Sequence, residues 1–442
     1  KKFKFNNLSL ELPQDYERKK FKDIEKELNK LKNNYYSLGK IETVLDEIEK
    51  LALLEQYEFI NASIEENIVD NKIDLKISVS ESKEKYYVER INIFGNNITA
   101  ENVIRNSLVI DEGDPFNKIL LNKSINNIKS LRIFKSVNHL MVDSEIRNKK
   151  IIDITVEEKA TGEISAGAGV GTSGSSLAFS IKENNYLGKG IVLNAGLALD
   201  EETIRGQFDY TNPNYKNTDR SLLMALNSSA TDRLADYGYK SSNSGFSLGT
   251  QYEQYDDIYF APKFGVTYDK IETSNVASAN LKKQKGDYFD VGVSYSFDLD
   301  KRNQRFQPSD GYRQIFYQEI PLISKNFSLL NSYRFDKYLE LSEDLVTTVS
   351  FMGKAITTIK SDRDVRVSKR LLMPSKRLRG FEPGKIGPVD GADFVGGNYL
   401  ATFNINTEIP NLFQNSQNID ATIFFDVANI WGVDYDSSIA LH

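Results

Sequence analysis

Apolar residues recur with two different periods along the chain, and the change of period divides the chain into two parts. Up to about residue 159, stretches with apolar residues three and four apart alternate with stretches in which every second residue is apolar. From Thr161 onward only the alternation remains. Helical spacing predicts amphipathic helices and alternation predicts strands, so the sequence predicts an α+β part followed by an all-β part.

The first part is predicted to contain two copies of one βααββ module. In residues 1–83 a strand around Phe3 and Phe5 comes first, and two alternating strands around Tyr57/Phe59 and 73–79 come last. Gly39 separates two helices, with apolar faces formed by Phe21, Ile24, Leu28, Leu31 and Tyr35 and by Ile41, Val44, Leu45, Ile48 and Leu51.

Residues 84–159 repeat this plan. "YYVERINIFGNN" predicts the first strand, "EGDPF" separates two short helices, and "FKSVNHLMV" and "IIDITVEE" predict the closing strands. Tandem copies of one plan are an internal repeat. The apolar stripes are interpreted as core, and the exposed strand edges could pair with an incoming extended chain.

The second part, residues 160–442, is predicted to be an all-β antiparallel transmembrane barrel. In "YFDVGVSYSFDL" the large apolar side chains share one face, while the aspartates and two serines share the other. A soluble β-sandwich also has alternating strands, but about 13 such stretches are too many for one sandwich. Short links are predicted to alternate with long ones, as turns and loops do in membrane barrels. Charged residues beside large aromatic residues suit a wet lumen and a lipid-facing exterior.

The strand count raises one problem for this prediction. Bacterial single-chain barrels normally have an even number of strands, and "ATIFFDVANIW" (421–431) is the thirteenth stretch. An open barrel would leave backbone polar groups unpaired in hydrocarbon. We therefore expect the chain to be a fragment from which the final strands are absent.

The composition excludes several other functions. The net charge of −6 gives no bulk attraction for nucleic acid. The chain has no Cys, which excludes disulfides and thiolate metal sites, and two His residues leave little basis for His-based catalysis. Aromatic residues make up 11% of the chain, which favours β structure. No uncharged apolar run approaches the roughly 18 residues of a membrane-spanning helix.

One stretch matches a nucleotide-binding motif, but its context argues against that function. Residues 169–174 fit GxGxxG, which binds a dinucleotide where a helix begins at the last glycine, and here an alternating strand follows. Because glycine weakens strand pairing, Gly167, Gly169 and Gly171 predict a first strand that opens readily.

His139 is predicted to be structural, and "KKQK" (282–285) is predicted to be a solvated loop face.

Several stretches together resemble the BamA family of outer-membrane protein assembly factors. Residues 1–83 and 84–159 are similar to its last two POTRA (polypeptide-transport-associated) modules, and 160–442 are similar to most of its 16-stranded barrel. The resemblance therefore covers nearly the whole chain. The stretches that carry it are "YYVERINIFGNN", "EGDPF", "EEKATGEISAGAGVGTSG", "DYTNPNY", "FQPSDGYR", "LRGF" with "IGP", and "FFDVANIW".

The resemblance implies a role for the Gly-rich segment around "LRGF". In this family the loop after the eleventh barrel strand folds back into the lumen, and its Arg-Gly-Phe tip rests against the inner wall. The matching tip residues are Arg379, Gly380 and Phe381, and the implied wall partners are Glu408 and Asp426. Alternation places both carboxylates on the polar faces of their strands. Such pairs form charge-assisted, potentially bidentate hydrogen bonds, although Arg379 could equally do no more than anchor the loop.

The resemblance also implies the function and the location. It implies insertion of unfolded barrel proteins into the bacterial outer membrane, by templating on the first barrel strand at a lateral seam, with the POTRA modules in the periplasm. The implied partners are unfolded outer-membrane proteins, accessory lipoproteins, periplasmic chaperones and membrane lipid, with no nucleic acid. We expect no cofactor, no metal and no enzymatic activity, because the sequence offers no nucleophile–base set.

Other transporters of the same superfamily are the alternatives. A two-partner secretion pore would move a soluble passenger outward, and a translocation and assembly module protein would share the architecture. A simple diffusion porin is disfavoured because it would not need two βααββ modules. The number of repeats upstream would distinguish the first alternative from an assembly factor.

Overall fold

The computed structural model divides the chain into two compact units. One contains Lys1–Thr161 with Leu187–Lys189, and the other contains Gly162–Tyr186 with Gly190–His442. None of the helices it describes is long and apolar enough to cross a membrane. The described residues are 3–14, 16–34, 36, 41, 44–45, 47–48, 51–52, 60–69, 72–81, 86–171, 174–234, 238–255, 257–303, 308–342, 345–359, 364–382, 384–409, 421–435 and 439.

The first unit contains two three-stranded sheets of the same topology. In each sheet the first and last strands of the module are parallel neighbours, and the middle strand pairs antiparallel with the last. This identity of order and direction confirms the predicted internal repeat. The strands are β1 (Lys4–Glu11), β2 (Ile60–Val69) and β3 (Lys72–Glu81) in one sheet, and β4 (Tyr87–Phe94), β5 (Phe134–Asp143) and β6 (Lys149–Glu158) in the other.

The helices of the first unit cover one face of each sheet with the apolar residues that their spacing indicated. Helix α1 spans Lys22–Leu31, and its Ile24 and Leu28 are buried. The second helical stripe is present at residues 41, 44–45, 47–48 and 51–52. In the second module α2 spans Glu101–Arg105 and α3 spans Lys118–Ser130. The predicted positions Tyr35, Gly39, Tyr57 and Phe59 lie outside the described residues.

The described residues of the second unit are built on one antiparallel sheet of 13 strands, the number that the alternation predicted. Each strand pairs with its neighbours in chain order, and the first and last strands each have one partner among the described residues, so the sheet does not close. The strands are β7 (Gly162–Gly171), β8 (Gly174–Tyr186), β9 (Ile191–Asp200), β10 (Thr203–Asn212), β11 (Ser221–Arg233), β12 (Tyr239–Tyr255), β13 (Ile258–Thr273), β14 (Gly286–Asp300), β15 (Gly311–Ile323), β16 (Ser328–Ser342), β17 (Leu345–Thr358), β20 (Tyr399–Ile409) and β21 (Ala421–Trp431). The short strands β18 (Val389–Asp390) and β19 (Asp393–Phe394) pair with each other, and α4 (Ala279–Lys282) precedes β14.

The two faces of this sheet differ in polarity as the alternation requires. On β14 Phe289 is 52% exposed, whereas the next residue, Asp290, is 5% exposed on the opposite face. We call the apolar face the outer face and the face of Asp290 the inner face. Large apolar side chains exposed on the outer face include Phe179, Phe208, Leu226, Phe264, Phe289, Tyr333, Phe351, Phe403 and Phe425.

The links between strands do not separate into short links at one end of the sheet and long links at the other. Residues 256–257 and 301–310 connect strands at the same end, while 201–202 and 274–285 lie at the opposite end. The predicted alternation of link length is therefore not seen. The longest link between neighbouring strands of the sheet is residues 359–398, between β17 and β20, which we call the long loop.

Candidate functional site

The long loop packs along the inner face of the sheet, and an ion pair holds its tip, residues 379–381. Arg379 donates from Nε to Asp426 Oδ2 at 2.7 Å and from Nη2 to Oδ1 at 2.6 Å, which is a bidentate arrangement. The backbone N–H of Arg379 donates to the same carboxylate at 3.1 Å. The side chain of Asp426 is 3% exposed and that of Arg379 is 30% exposed. The hydrogen bonds to Asp426 raise the pKa of Arg379.

The other wall contact of Arg379 is an amide, where the resemblance implied a carboxylate. Arg379 Nη2 donates to Asn406 Oδ1 at 2.5 Å, and Asn404 Nδ2 donates to Asp426 Oδ1 at 2.7 Å. Glu408 is exposed and has no contact with Arg379 in the described part of the chain.

The register of β20 and β21 explains this difference. Asn404 lies opposite Asp426, whereas Glu408 lies opposite Thr422. The four intervening residue steps place Glu408 roughly 13 Å farther along the strand than Asn404. Alternation therefore placed Glu408 on the correct face but not at the depth of the tip. The structure brings Arg379 to Asp426 and does not bring it to Glu408.

The other two tip residues differ in how they meet the wall. Gly380 has φ +84°, a backbone conformation that favours glycine. A Cβ added there would meet no atom within 4 Å, so a lack of space is not the reason for glycine at this position. Phe381 is 56% exposed. The aromatic ring near the ion pair is instead that of Phe424, whose centroid lies 3.7 Å from the Arg379 guanidinium carbon.

An apolar cluster supports the loop beside the ion pair. It joins loop residues to side chains of β17, β20 and β21, and its buried members are Met352, Met373, Leu378, Leu400 and Ile430. Removing this surface from water stabilises the docked loop at about 25 cal/mol per Å². The tip is therefore held by apolar burial as well as by charge.

A second ionic cluster lies on the first limb of the long loop, residues 364–370. Arg366 is 1% exposed and lies between two buried carboxylates on adjacent strands. Its Nη2 donates to Asp290 Oδ2 at 2.5 Å, and its Nε lies 3.0 Å from Asp269 Oδ2. The guanidinium also lies over the ring of Tyr288, 4.4 Å from its centroid. Arg366 therefore contacts β13 and β14 at once.

Neighbouring residues of the first limb extend this cluster. Ser368 donates to Asp269, Lys369 Nζ lies 3.2 Å from Asp290, and the backbone N–H of Val367 donates to Gln284 Oε1 at 2.7 Å. Gln284 belongs to "KKQK", whose three lysines are exposed as predicted, but Gln284 itself is half-buried against the loop.

Sequence reasoning missed the Arg366 cluster. Arg366 is one of several cations in "RDVRVSKR", and a charge run in a loop normally indicates a solvated face. Asp269 and Asp290 do stand on the polar faces of predicted strands. No spacing rule links them to a loop about 76 to 97 residues later, because that contact depends on the path of the loop along the inner face.

The predicted Gly-rich first strand forms one edge of the sheet. Gly167, Gly169 and Gly171 lie in β7 and alternate with exposed residues such as Ile164 and Val170 on the outer face. β7 pairs with β8, so the GxGxxG stretch belongs to a strand hairpin, with 172–173 outside the described residues. His139 is exposed on β5.

Family models match both parts of the chain. The model of the Omp85 superfamily domain matches residues 185–441. The POTRA model, described as a surface antigen variable number repeat, matches residues 86–159. The first match covers more than half of the chain, and the second covers most of the second module.

Known proteins are similar to the chain over most of its length. Outer membrane protein assembly factor BamA of Neorickettsia risticii (strain Illinois) is 24% identical over 371 residues, which are 83% of this chain and 50% of the relative. The crystal structure of BamA from Haemophilus ducreyi lacking POTRA domains 1–3 has a TM-score of 0.61 at 18% identity, covering 97% of this chain and 88% of that chain. CdiB from Acinetobacter baumannii has a TM-score of 0.52 at 13% identity, covering 98% and 80%. The chain spans about half the length of the curated relatives it matches.

Proposed function

The chain belongs to the Omp85 superfamily and is an outer-membrane protein with POTRA modules in the periplasm, and on that premise we propose that it assembles β-barrel proteins into the outer membrane. The proposal is supported by curated relatives that carry the name outer membrane protein assembly factor BamA. The observation that carries it is the long loop bound along the inner face, with Arg379 paired to Asp426 on β21.

The proposed mechanism uses the exposed edge of β7. An unfolded barrel protein pairs its backbone with this edge, in the manner of β-augmentation. The N–H and C=O groups of the unfolded protein then form hydrogen bonds with an existing strand. They therefore need not enter hydrocarbon unpaired, which would cost several kcal/mol for each group. Glycines at 167, 169 and 171 weaken the pairing of β7, which favours opening of a lateral seam next to it.

In this mechanism the loop tip supports the opposite edge of the sheet. Asp426 lies on β21, which pairs with β20 alone among the described residues. Binding of Arg379 to both Asp426 and Asn406 joins β20 and β21 from inside. We propose that the tip keeps β21 in register while β7 exchanges partners, so that one edge is fixed and the other is available.

The proposed partners follow from this role. They are unfolded outer-membrane proteins as substrates, accessory lipoproteins and periplasmic chaperones on the POTRA side, and lipid around the outer face. Edge strands of the two modules, such as β2 and β5, offer backbone for pairing with extended segments. We propose no nucleic-acid partner.

We propose that the protein is not an enzyme and needs no cofactor or metal. Insertion exchanges hydrogen bonds and apolar surface and breaks no covalent bond. The carboxylates of the site are engaged by arginine, Asp426 by Arg379 and Asp290 by Arg366, which leaves them poorly suited to act as bases.

Two-partner secretion is the second candidate, because CdiB has the same fold as this chain. A secretion pore would release a soluble passenger outside the cell and would leave the levels of membrane barrels unchanged. The two functions therefore predict different products from the same cell.

A depletion strain tests the proposal. The full-length protein is depleted from its host and restored from a plasmid, and folded outer-membrane barrels and secreted proteins are quantified together. Assembly predicts that barrel levels fall on depletion and recover on complementation. Unchanged barrel levels with loss of one secreted protein would favour secretion instead.

A further inference from the structure

In the described part of the chain, ionic contacts join the long loop to the wall at two separate places, and the two places differ in burial. At the tip, the Arg379 side chain is 30% exposed and meets one carboxylate. At the first limb, the Arg366 side chain is 1% exposed and meets Asp269 and Asp290, which are 2% and 6% exposed. Removing one member of a buried pair costs more than removing one member of a partly exposed pair, so loss of Arg366 is expected to cost the loop more than loss of Arg379.

From this difference we infer that Arg366 is the principal positioning residue of the long loop, and that the Arg379 tip depends on it but not the reverse. The inference goes beyond the proposed function, since it concerns where the loop lies and not what the protein assembles. It assigns Arg366 the task of fixing the first limb against β13 and β14. The tip then has a short path to Asp426.

Charge balance at the first limb supports this assignment. Arg366 and Lys369 neutralise Asp269 and Asp290 in a region with little water. Without Arg366, two buried carboxylates face one partly exposed lysine, so the first limb loses its main attraction. The backbone contact from Val367 to Gln284 and the contact from Val365 N–H to Asp434 at 2.9 Å depend on the same placement.

The length of the loop sets the expected effect on the tip. With the first limb in place, the chain path that leads to Arg379 begins near Arg370. Without it, the path begins at Thr358, the end of β17. The path is then somewhat more than twice as long, so the effective concentration of the tip at Asp426 falls roughly fourfold.

Loss of the tip has no matching effect on the first limb. Arg366 lies eight residues beyond Thr358, the end of β17, and its contacts to β13 and β14 do not involve residues 379–381. We therefore expect the dependence to run in one direction.

Hydrogen exchange followed by mass spectrometry on the full-length protein tests this directly, because each limb has its own protected amides. The N–H groups of Val365 and Val367 report on the first limb, and that of Arg379 reports on the tip. Arg366→Ala is expected to raise exchange about 100-fold or more in the first limb, as for a broken buried pair, and roughly fourfold at the tip. Arg379→Ala is expected to raise exchange at the tip alone.

The controls separate loop position from folding and from activity. Lys376→Ala removes an exposed cation of the same loop and is expected to change neither limb. Heat-modifiable migration on a gel checks that each variant is folded. If Arg366→Ala does not fold, Arg366→Lys is used instead. Lysine keeps the charge but lacks the planar fork of arginine, so a smaller rise of hydrogen exchange is expected at the first limb and at the tip.

Wild-type hydrogen exchange at the first limb in folded Arg366→Ala or Arg366→Lys would overturn the inference. A rise of exchange at both the first limb and the tip with Arg379→Ala would also overturn it. These outcomes are independent of assembly activity.

Discussion

Replacing Asp426 by Asn tests whether the charge on β21 holds the tip of the long loop. The carboxylate accepts four hydrogen bonds, three from Arg379 and one from Asn404. An asparagine side chain of the same shape offers one acceptor atom and no charge. The bidentate contact is then lost, and one N–H donor of the guanidinium faces an N–H group.

The size of the effect follows from burial. Removing one member of a fully desolvated ion pair costs about 3–5 kcal/mol. Arg379 is 30% exposed, so water replaces part of the interaction and a value of about 2 kcal/mol is expected. That free energy corresponds to a shift of roughly 30-fold in the ratio of undocked to docked tip.

Trypsin cleavage of the folded protein in lipid vesicles measures this ratio. The tip region offers Lys376, Arg377 and Arg379 as cleavage sites, and cleavage follows the undocked fraction when opening and closing are fast. Asp426→Asn is expected to speed cleavage in this region by roughly 30-fold. Glu408→Gln is the matched control, since it removes a carboxylate from the same inner face but has no contact with Arg379.

Equal cleavage rates for Asp426→Asn and Glu408→Gln would refute the reasoning. Such a result would mean that apolar burial around Leu378 and Met373 holds the loop without help from the ion pair. Faster cleavage of Glu408→Gln alone would show that the tip reaches farther along β20 than the observed register allows.

Three further predictions concern other parts of the molecule. A Cβ at Gly167 would meet no atom within 4 Å, so Gly167→Val is expected to fold but to slow the assembly of client barrels in complemented cells, because valine strengthens the pairing of β7. Gly206→Val on β10 is equally unhindered, and cells with this control are expected to assemble client barrels at the wild-type rate. Equal rates for both variants would argue against a first strand that opens. Phe264→Arg on the outer face is expected to cost about 2–4 kcal/mol of barrel stability in lipid, measured by denaturant unfolding. Lys263→Ala on the inner face is expected to cost far less, and similar losses of stability would contradict the assignment of the two faces. Burial raises the pKa of Glu158, but hydrogen bonds from the Ile98 and Thr99 N–H groups outweigh this effect and hold the pKa below its ordinary value of 4.5. The charged Glu158 therefore stabilises the second module above pH 4.5, and this stabilisation is lost as the pH falls through the lowered pKa. Glu158→Gln is expected to cost about 1–2 kcal/mol of module stability at neutral pH and progressively less in acid, and a cost that does not change with pH would exclude this origin.

The fold was predictable from the sequence because its strands show their two faces in the residue order. Phe289 and Asp290 are neighbours with opposite burial, and the sheet contains the 13 strands that the alternation predicted. The thirteenth stretch was predicted at 421–431, and β21 spans Ala421–Trp431. Lengths of links were less predictable, because a link on the surface has no periodic pattern that ties it to one end of the sheet.

The site was predictable in part, and the limit was depth along the strand. Alternation tells which face a side chain occupies but not which residue of β20 meets the loop. The resemblance implied Glu408 as a partner of Arg379, and Asn406 takes that place. Arg366 could not be found from spacing, because its partners belong to strands far away in the sequence.

The proposed function requires that this protein speeds the insertion of barrel proteins into a bilayer. The most direct measurement adds an unfolded outer-membrane barrel protein to vesicles that contain the full-length protein and follows folding by heat-modifiable migration. The account predicts faster folding than in empty vesicles, and slower folding with Gly167→Val than with Gly206→Val. Folding at the rate of empty vesicles, with the added protein itself correctly folded, would contradict it.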